Sequence, residues 1–142
     1  MMASEDDLIG SWRLVSWTIS YPDGRKTHPF GEAPEGMILY TADGAMSAAI
    51  ARSGRPLFGR ADIRNAPEGK RAAAYDSYFS YAGRWALDGD QVRHEVTLAL
   101  NPDFVGTTQV RDVLLEGETL TLSADEGTGA KARHHALVWT RR

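Results

Sequence analysis

The sequence predicts an all-β fold, eight antiparallel strands forming a barrel or sandwich, with one short helix covering one end. Three observations predict it. Short runs of alternating apolar and polar residues recur along the 142-residue chain. Between them, Gly beside Asp or Glu marks turns at Asp43-Gly44, Asp88-Gly89 and Glu116-Gly117; Asp-Gly between alternating runs is the strongest short hairpin signal, because a tight hairpin needs positive φ at its centre. One segment only, from Asn65, breaks the strand pattern with helical spacing.

The strands fall at about 10–21, 36–42, 45–51, 80–87, 90–100, 107–115, 118–124 and 133–141. In the first, Trp12, Leu14, Ser16 and Thr18 oppose Arg13, Val15, Trp17 and Ile19 without separating apolar from polar, which predicts a bend or bulge. A two-residue turn at Asp43-Gly44 sets Met37, Leu39 and Thr41 inward opposite Ile50, Ala48 and Met46, leaving Tyr40 and Ser47 outside. Asn65-Ala66-Pro67-Glu68 then reads as a helix start. From Lys70 to Ser80 it aligns Ala72, Tyr75 and Phe79, with Tyr78 beside them; such a stripe ordinarily packs.

Around Asp88-Gly89, Trp85 pairs with Val92, Gly83 with His94 and Tyr81 with Val96, so Tyr81, Gly83, Trp85 and Leu87 share an inner face with Val92, His94, Val96, Leu98 and Leu100. Around Glu116-Gly117, Val113 pairs with Leu120 and Arg111 with Leu122, so Gln109, Arg111, Val113 and Leu115 also face in. Residues 124–132 read as an exposed loop. His134 and His135, adjacent on the last strand, point to opposite faces and cannot share a metal, and a surface role is expected of them. No other His, Asp or Glu cluster shows ligand spacing, so no metal site and no cofactor are expected.

Composition bounds the rest. The chain is 42% hydrophobic and 25% charged, an ordinary globular balance, and its length fits one domain over 1–142, with 1–7 a flexible segment. The absence of cysteine removes disulfides and thiolate chemistry. A net charge of −3 with no basic run argues against a nucleic-acid partner. No stretch reaches the ~18 apolar residues of a membrane span. The acidic start, Ser4-Glu5-Asp6-Asp7, is unlike a secretory signal. A soluble cytoplasmic domain is expected, in an oligomeric state the sequence leaves open.

Several motifs in this order resemble the lipocalin-like domain family, a branch of the calycin-type barrels. They are Gly10-Ser11-Trp12-Arg13-Leu14, Pro29-Phe30-Gly31, Tyr40-Thr41-Ala42-Asp43-Gly44, Tyr81-Ala82-Gly83, Val92-Arg93-His94-Glu95-Val96, Asn101-Pro102-Asp103-Phe104-Val105-Gly106, Gln109-Val110-Arg111 and Leu137-Val138-Trp139. The resemblance implies an eight-stranded barrel with Trp12 plugging the closed end. Trp139-Thr140-Arg141 is similar to the last strand that lays a basic side chain over that Trp.

A barrel of this size either fills with side chains or holds one small ligand. Gly83, Ala48 and Thr41 are small and leave room beside Met46, Tyr81 and Trp85; with His94, Gln109 and Arg111 these three make the candidate ligand-binding set. A buried guanidinium needs a partner, and the inward faces hold no carboxylate, so a ligand carboxylate, enolate or phenolate would serve. The leading expectation is an intracellular binding protein for an apolar, anionic or carbonyl-bearing small molecule. The alternative is a cyclase, isomerase or dehydratase acting on a polyketide- or terpenoid-like intermediate, with His94 as acid/base and Arg111 as oxyanion stabiliser. A filled barrel, in which the same polar residues are structural, is the third.

Overall fold

The computed structural model describes residues 2–59 and 63–142. Its strands are β1 (Gly10–Ser20), β2 (Lys26–Thr27), β3 (Glu35–Tyr40), β4 (Ala45–Ala51), β5 (Tyr78–Asp88), β6 (Gln91–Ala99), β7 (Thr108–Glu116), β8 (Thr119–Glu126) and β9 (Arg133–Arg141). They pair in the order β2-β1-β3-β4-β5-β6-β7-β8-β9, and β1 also pairs with β9, so the eight strands other than β2 close a barrel. Closure satisfies backbone groups that an open sheet would leave on its edges. The two-residue β2 adds to the Ser20 end of β1. Among the described residues, no helix is long and apolar enough to cross a membrane.

The mixed pattern of strand one has its expected cause. The β1–β9 register shifts between Leu14 and Ser16, so Trp12 and Leu14 face in before the bulge and Trp17 and Ile19 after it. At the Gly10 end the barrel is plugged. Within the segment expected to be flexible, a one-turn helix α1 (Glu5–Leu8) delivers the buried Leu8, whose carbonyl accepts the Trp12 indole N–H at 3.0 Å; Met1 lies outside the described residues. The Arg141 guanidinium carbon lies 4.1 Å from the Trp12 ring centroid, and its terminal nitrogens donate to the Ile9 and Asp7 carbonyls. Arg141→Ala should therefore cost about 1–2 kcal/mol in a urea melt, from the cation–π contact and the lost hydrogen bonds together.

Several inferred registers need correction. At the β3–β4 turn, Thr41 and Ala45 bond across a three-residue loop in which Gly44 has φ +90°. An odd loop of this kind shifts pairing by one residue. Tyr40 thus pairs with Met46 and Ile38 with Ala48; Ile38 and Tyr40 are buried, whereas Met37, Leu39 and Thr41 are exposed. A bulge at Thr97 of β6, opposite Ala82 and Gly83 of β5, puts Leu98 outside, 69% exposed, and brings Ala99 toward the core. Gly83 leaves no room in the cavity either. A Cβ there would sit 1.8 Å from the Glu95 carbonyl oxygen, so the glycine serves close backbone approach at the bulge. Gly83→Ala should destabilise by ~2–3 kcal/mol, read by thermal melting, since the paired strands β5 and β6 themselves must move apart.

The helix is shorter than the aromatic stripe implied. It runs as α2 over Glu68–Asp76, after Pro67, and none of its residues is buried. Tyr78, Phe79 and Ser80 belong to β5, paired with Ala51, Ile50 and Ala49. Pairing with β4 satisfies their backbone and suits aromatic residues better than another helical turn. Ser77 closes the helix by donating to the Ala73 carbonyl and accepting from Arg55 Nε. The helix therefore stands at the open end, where β5 begins. Strand β8 reaches Glu126, leaving only 127–132 of the expected loop.

Candidate functional site

The open half of the barrel holds a cavity of about 390 Å³. Ile38, Ala48, Ile50, Phe79, Phe104, Leu122 and Leu137 make its apolar wall; Tyr81, His94, Gln109 and Arg111 make one polar side. The polar side comes from three adjacent strands. Trp85 pairs with His94, His94 with Gln109 and Val92 with Arg111, so these side chains share the inner face. Asp125 and Glu126 stand at the mouth, their side chains mostly in solvent.

At the floor, His94 is buried between two phenols. Its Nε2 lies 2.7 Å from the Tyr40 hydroxyl and its Nδ1 2.6 Å from the Tyr81 hydroxyl. Burial, and then the nearby Arg111 charge, depress its pKa from 6.5 to about 3, so the imidazole is neutral at ordinary pH. Burial pushes Tyr81 up to about 12 and Tyr40 well above the usual phenol value, with Tyr81 adding to the rise at Tyr40. All three rings hold together as a neutral hydrogen-bonded chain.

Arg111 is half-buried. One terminal nitrogen donates to the Val110 carbonyl at 2.9 Å and the other to Gln109 Oε1 at 3.3 Å, while Gln109 Nε2 donates to Thr107. Among the described residues no carboxylate lies within ion-pair distance of this guanidinium. Two further donors face the same shortage. Trp17 Nε1 donates to His135 Nδ1 at 3.2 Å, which leaves the proton of the neutral ring on Nε2. That atom is buried without a hydrogen-bond partner, 3.9 Å from Glu126 Oε1; the Trp139 indole N–H is likewise unaccepted. Both residues line the cavity. Burial also lowers the His135 pKa, against the pull of Glu126.

Of the six residues expected to bind a ligand, Tyr81, His94, Gln109 and Arg111 meet at the cavity. Met46 and Trp85 do not line it. They are buried toward the closed end because Tyr40 turns inward and fills that space, its ring 4.8 Å from Trp85 and 5.6 Å from His94. Strand alternation sets Tyr40 outside; only the turn geometry reveals it within. The surface role expected of both His134 and His135 fits His134 alone, which pairs with Asp125. The signal for His135 is present in its neighbours, since it shares the inward parity of Leu137 and Trp139. Among the described residues no group of acidic or His side chains is placed to hold a metal ion.

The family model described as lipocalin-like domain matches residues 9–142. The chain belongs to the lipocalin-like domain family. A relative of this lipocalin-like barrel is the 4'-hydroxy-3'-methoxypropiophenone carrier protein ppsC of Aspergillus oryzae (strain ATCC 42149 / RIB 40), 31% identical over 86 residues that span 55% of this chain and 78% of the relative. Among solved structures, that of EF1p2_mFAP2b bound to DFHBI is similar with a TM-score of 0.44 and 12% identity, covering 95% of this chain and 94% of the other.

Proposed function

We propose that this chain is an intracellular small-molecule-binding protein whose ligand is apolar and carries an anionic or carbonyl oxygen. The observation that carries this reading is the imbalance of the cavity. Its polar lining groups Arg111, Tyr81, His135 and Trp139 all have protons to give, the Gln109 oxygen is already taken by Arg111, and its carboxylates stand in solvent at the mouth. A guanidinium and unaccepted N–H groups held away from water favour an occupant that supplies acceptors. The volume suits a molecule of one or two rings. The relative named as a 4'-hydroxy-3'-methoxypropiophenone carrier protein, whose cargo is an aryl ketone, supports the same ligand class. A chain without cysteine also suits a reducing compartment.

Native mass spectrometry of the protein isolated from its own cells, followed by denaturing extraction, tests this. A stoichiometric aromatic or polyketide-like ketone, enolate or carboxylate is expected. With the emptied protein, 4'-hydroxy-3'-methoxypropiophenone is the first probe, read by quenching of Trp17 and Trp139 fluorescence. No retained molecule together with no saturable quenching would defeat the reading.

A second reading makes the same cavity catalytic, as a cyclase, isomerase or dehydratase. It is favoured by the Tyr81 hydroxyl, which lines the cavity, is bonded to His94 Nδ1 at 2.6 Å and lies close enough to Arg111 to feel its charge. Both His94 nitrogens are occupied, so a proton reaching the ligand would pass through Tyr81, while Arg111 stabilises the developing oxyanion. Conversion of the retained molecule by the emptied protein, lost in Arg111→Met, would select this reading over simple carriage.

A further inference from the structure

The phenol–imidazole–phenol chain has a direction, and burial sets it. Tyr40 is fully buried and stands outside the cavity lining. Among the described residues its hydroxyl has one hydrogen-bond partner, His94 Nε2 at 2.7 Å. A buried hydroxyl proton without an acceptor is costly, so Tyr40 donates and Nε2 is the unprotonated nitrogen. A neutral imidazole carries a single N–H, which therefore sits on Nδ1 and donates to the Tyr81 oxygen at 2.6 Å. The Tyr81 oxygen is thereby an acceptor toward His94, and its own proton is left over. Tyr81 lines the cavity, so that proton has the cavity to go to. The opposite direction would strand the Tyr40 proton in the core.

We infer that Tyr40 and His94 are positioning residues that fix Tyr81 as a one-way donor, so that the ligand binds through a carbonyl-type acceptor oxygen at Tyr81. The inference rests on the binding function proposed above and names the atom that function turns on. Arg111, which has donors and no acceptor, reinforces the same choice from β7, two strands away. Each hydrogen bond in such a chain polarises the next, so Tyr81 is a stronger donor than a lone phenol. A group that can only donate finds no partner at this point.

Nitrogen NMR of labelled histidine in the unliganded wild-type protein reads which His94 nitrogen is protonated. A proton on Nδ1 is expected; a proton on Nε2 overturns the inference. The second measurement compares propiophenone with propylbenzene, the same carbon skeleton with and without the carbonyl. The ketone should bind wild type more tightly, and Tyr40→Phe should cut that preference about tenfold while propylbenzene keeps its affinity. Tyr81→Phe should do the same and serves alone if Tyr40→Phe does not fold. An unchanged preference in the folded variants overturns the inference, because a hydroxyl outside the cavity would then have no hold on the ligand. If neither probe binds wild type although native mass spectrometry finds a retained molecule, the carbonyl contact at Tyr81 is overturned while the binding function stands; if nothing is retained either, the binding function itself fails and the inference falls with it.

Discussion

Arg111→Met should leave the barrel folded, with stability equal to or above the parent, and weaken a carbonyl or anionic ligand by roughly ten- to a hundredfold. The two halves of this result have different causes. The guanidinium is half-buried, held by one backbone carbonyl and one amide oxygen rather than by a carboxylate. Its desolvation is thus poorly offset within the protein, and an apolar side chain of similar length removes that cost. Ligand binding loses instead one or two charge-assisted hydrogen bonds, each worth about 1.5–3 kcal/mol. Urea denaturation and a fluorescence titration on the same samples measure both halves. The variant also carries an internal check: without the Arg111 charge, the His94 pKa moves up toward its ordinary value. An Arg111→Met protein that fails to fold would make the residue structural and remove it from the ligand's contacts.

The second large effect belongs to His94. His94→Ala should lose ~3–5 kcal/mol, because it opens a void in a packed floor and strands two buried phenol hydroxyls at once. The wild-type protein should show the same residue through pH. The unfolded chain takes up a proton near pH 6.5 that the folded chain refuses until about pH 3. Stability is therefore complete above about pH 6.5 and declines as acid is added, approaching a loss of roughly 4 kcal/mol as an upper bound near pH 3. Asp7 and Asp43, whose carboxyls are held below their usual range by Ser4 and Thr41, add to the loss only at the acid end. Urea midpoints measured across this range separate histidine from carboxylate, since the slope between pH 6 and 5 belongs to the histidines, His94 first and His135 after it. A flat profile over that interval would mean that His94 is not buried as a neutral ring.

The sequence made the site's polar wall legible for a reason that can be traced. The turns at Asp88-Gly89 and Glu116-Gly117 were each placed one position early, so Trp85 pairs with His94 rather than Val92, and Val113 with Leu122 rather than Leu120. The pairing errs by two residues, one full pleat repeat, and every inward assignment near the turn survives. At Gly44 the loop has an odd length, the error is a single residue, and β3 turns over. Tyr40 was lost from the site by that one step. Leu98 was lost to a bulge, which alternation cannot register because it is a break in alternation. In β3 the apolar pattern offered no correction, since Met37 and Leu39 outside are as apolar as Ile38 within. The histidine, arginine and glutamine stood out because a polar residue in an apolar row is visible without any register.

Barrel closure has a consequence for how the chain reaches this state. The strands that seal the ring are its first and last, and Arg141 reaches back 132 positions to the Ile9 carbonyl. Every other strand of the ring can form against a neighbour in sequence, but this seam joins the most distant partners and carries a heavy entropy of loop closure. Before it forms, β1 and β9 are free edges and the cavity is an open trough. Acquisition of the ligand pocket is thus a late event in folding, gated by the seam between β1 and β9 rather than by assembly of the wall that bears Tyr81, His94 and Arg111.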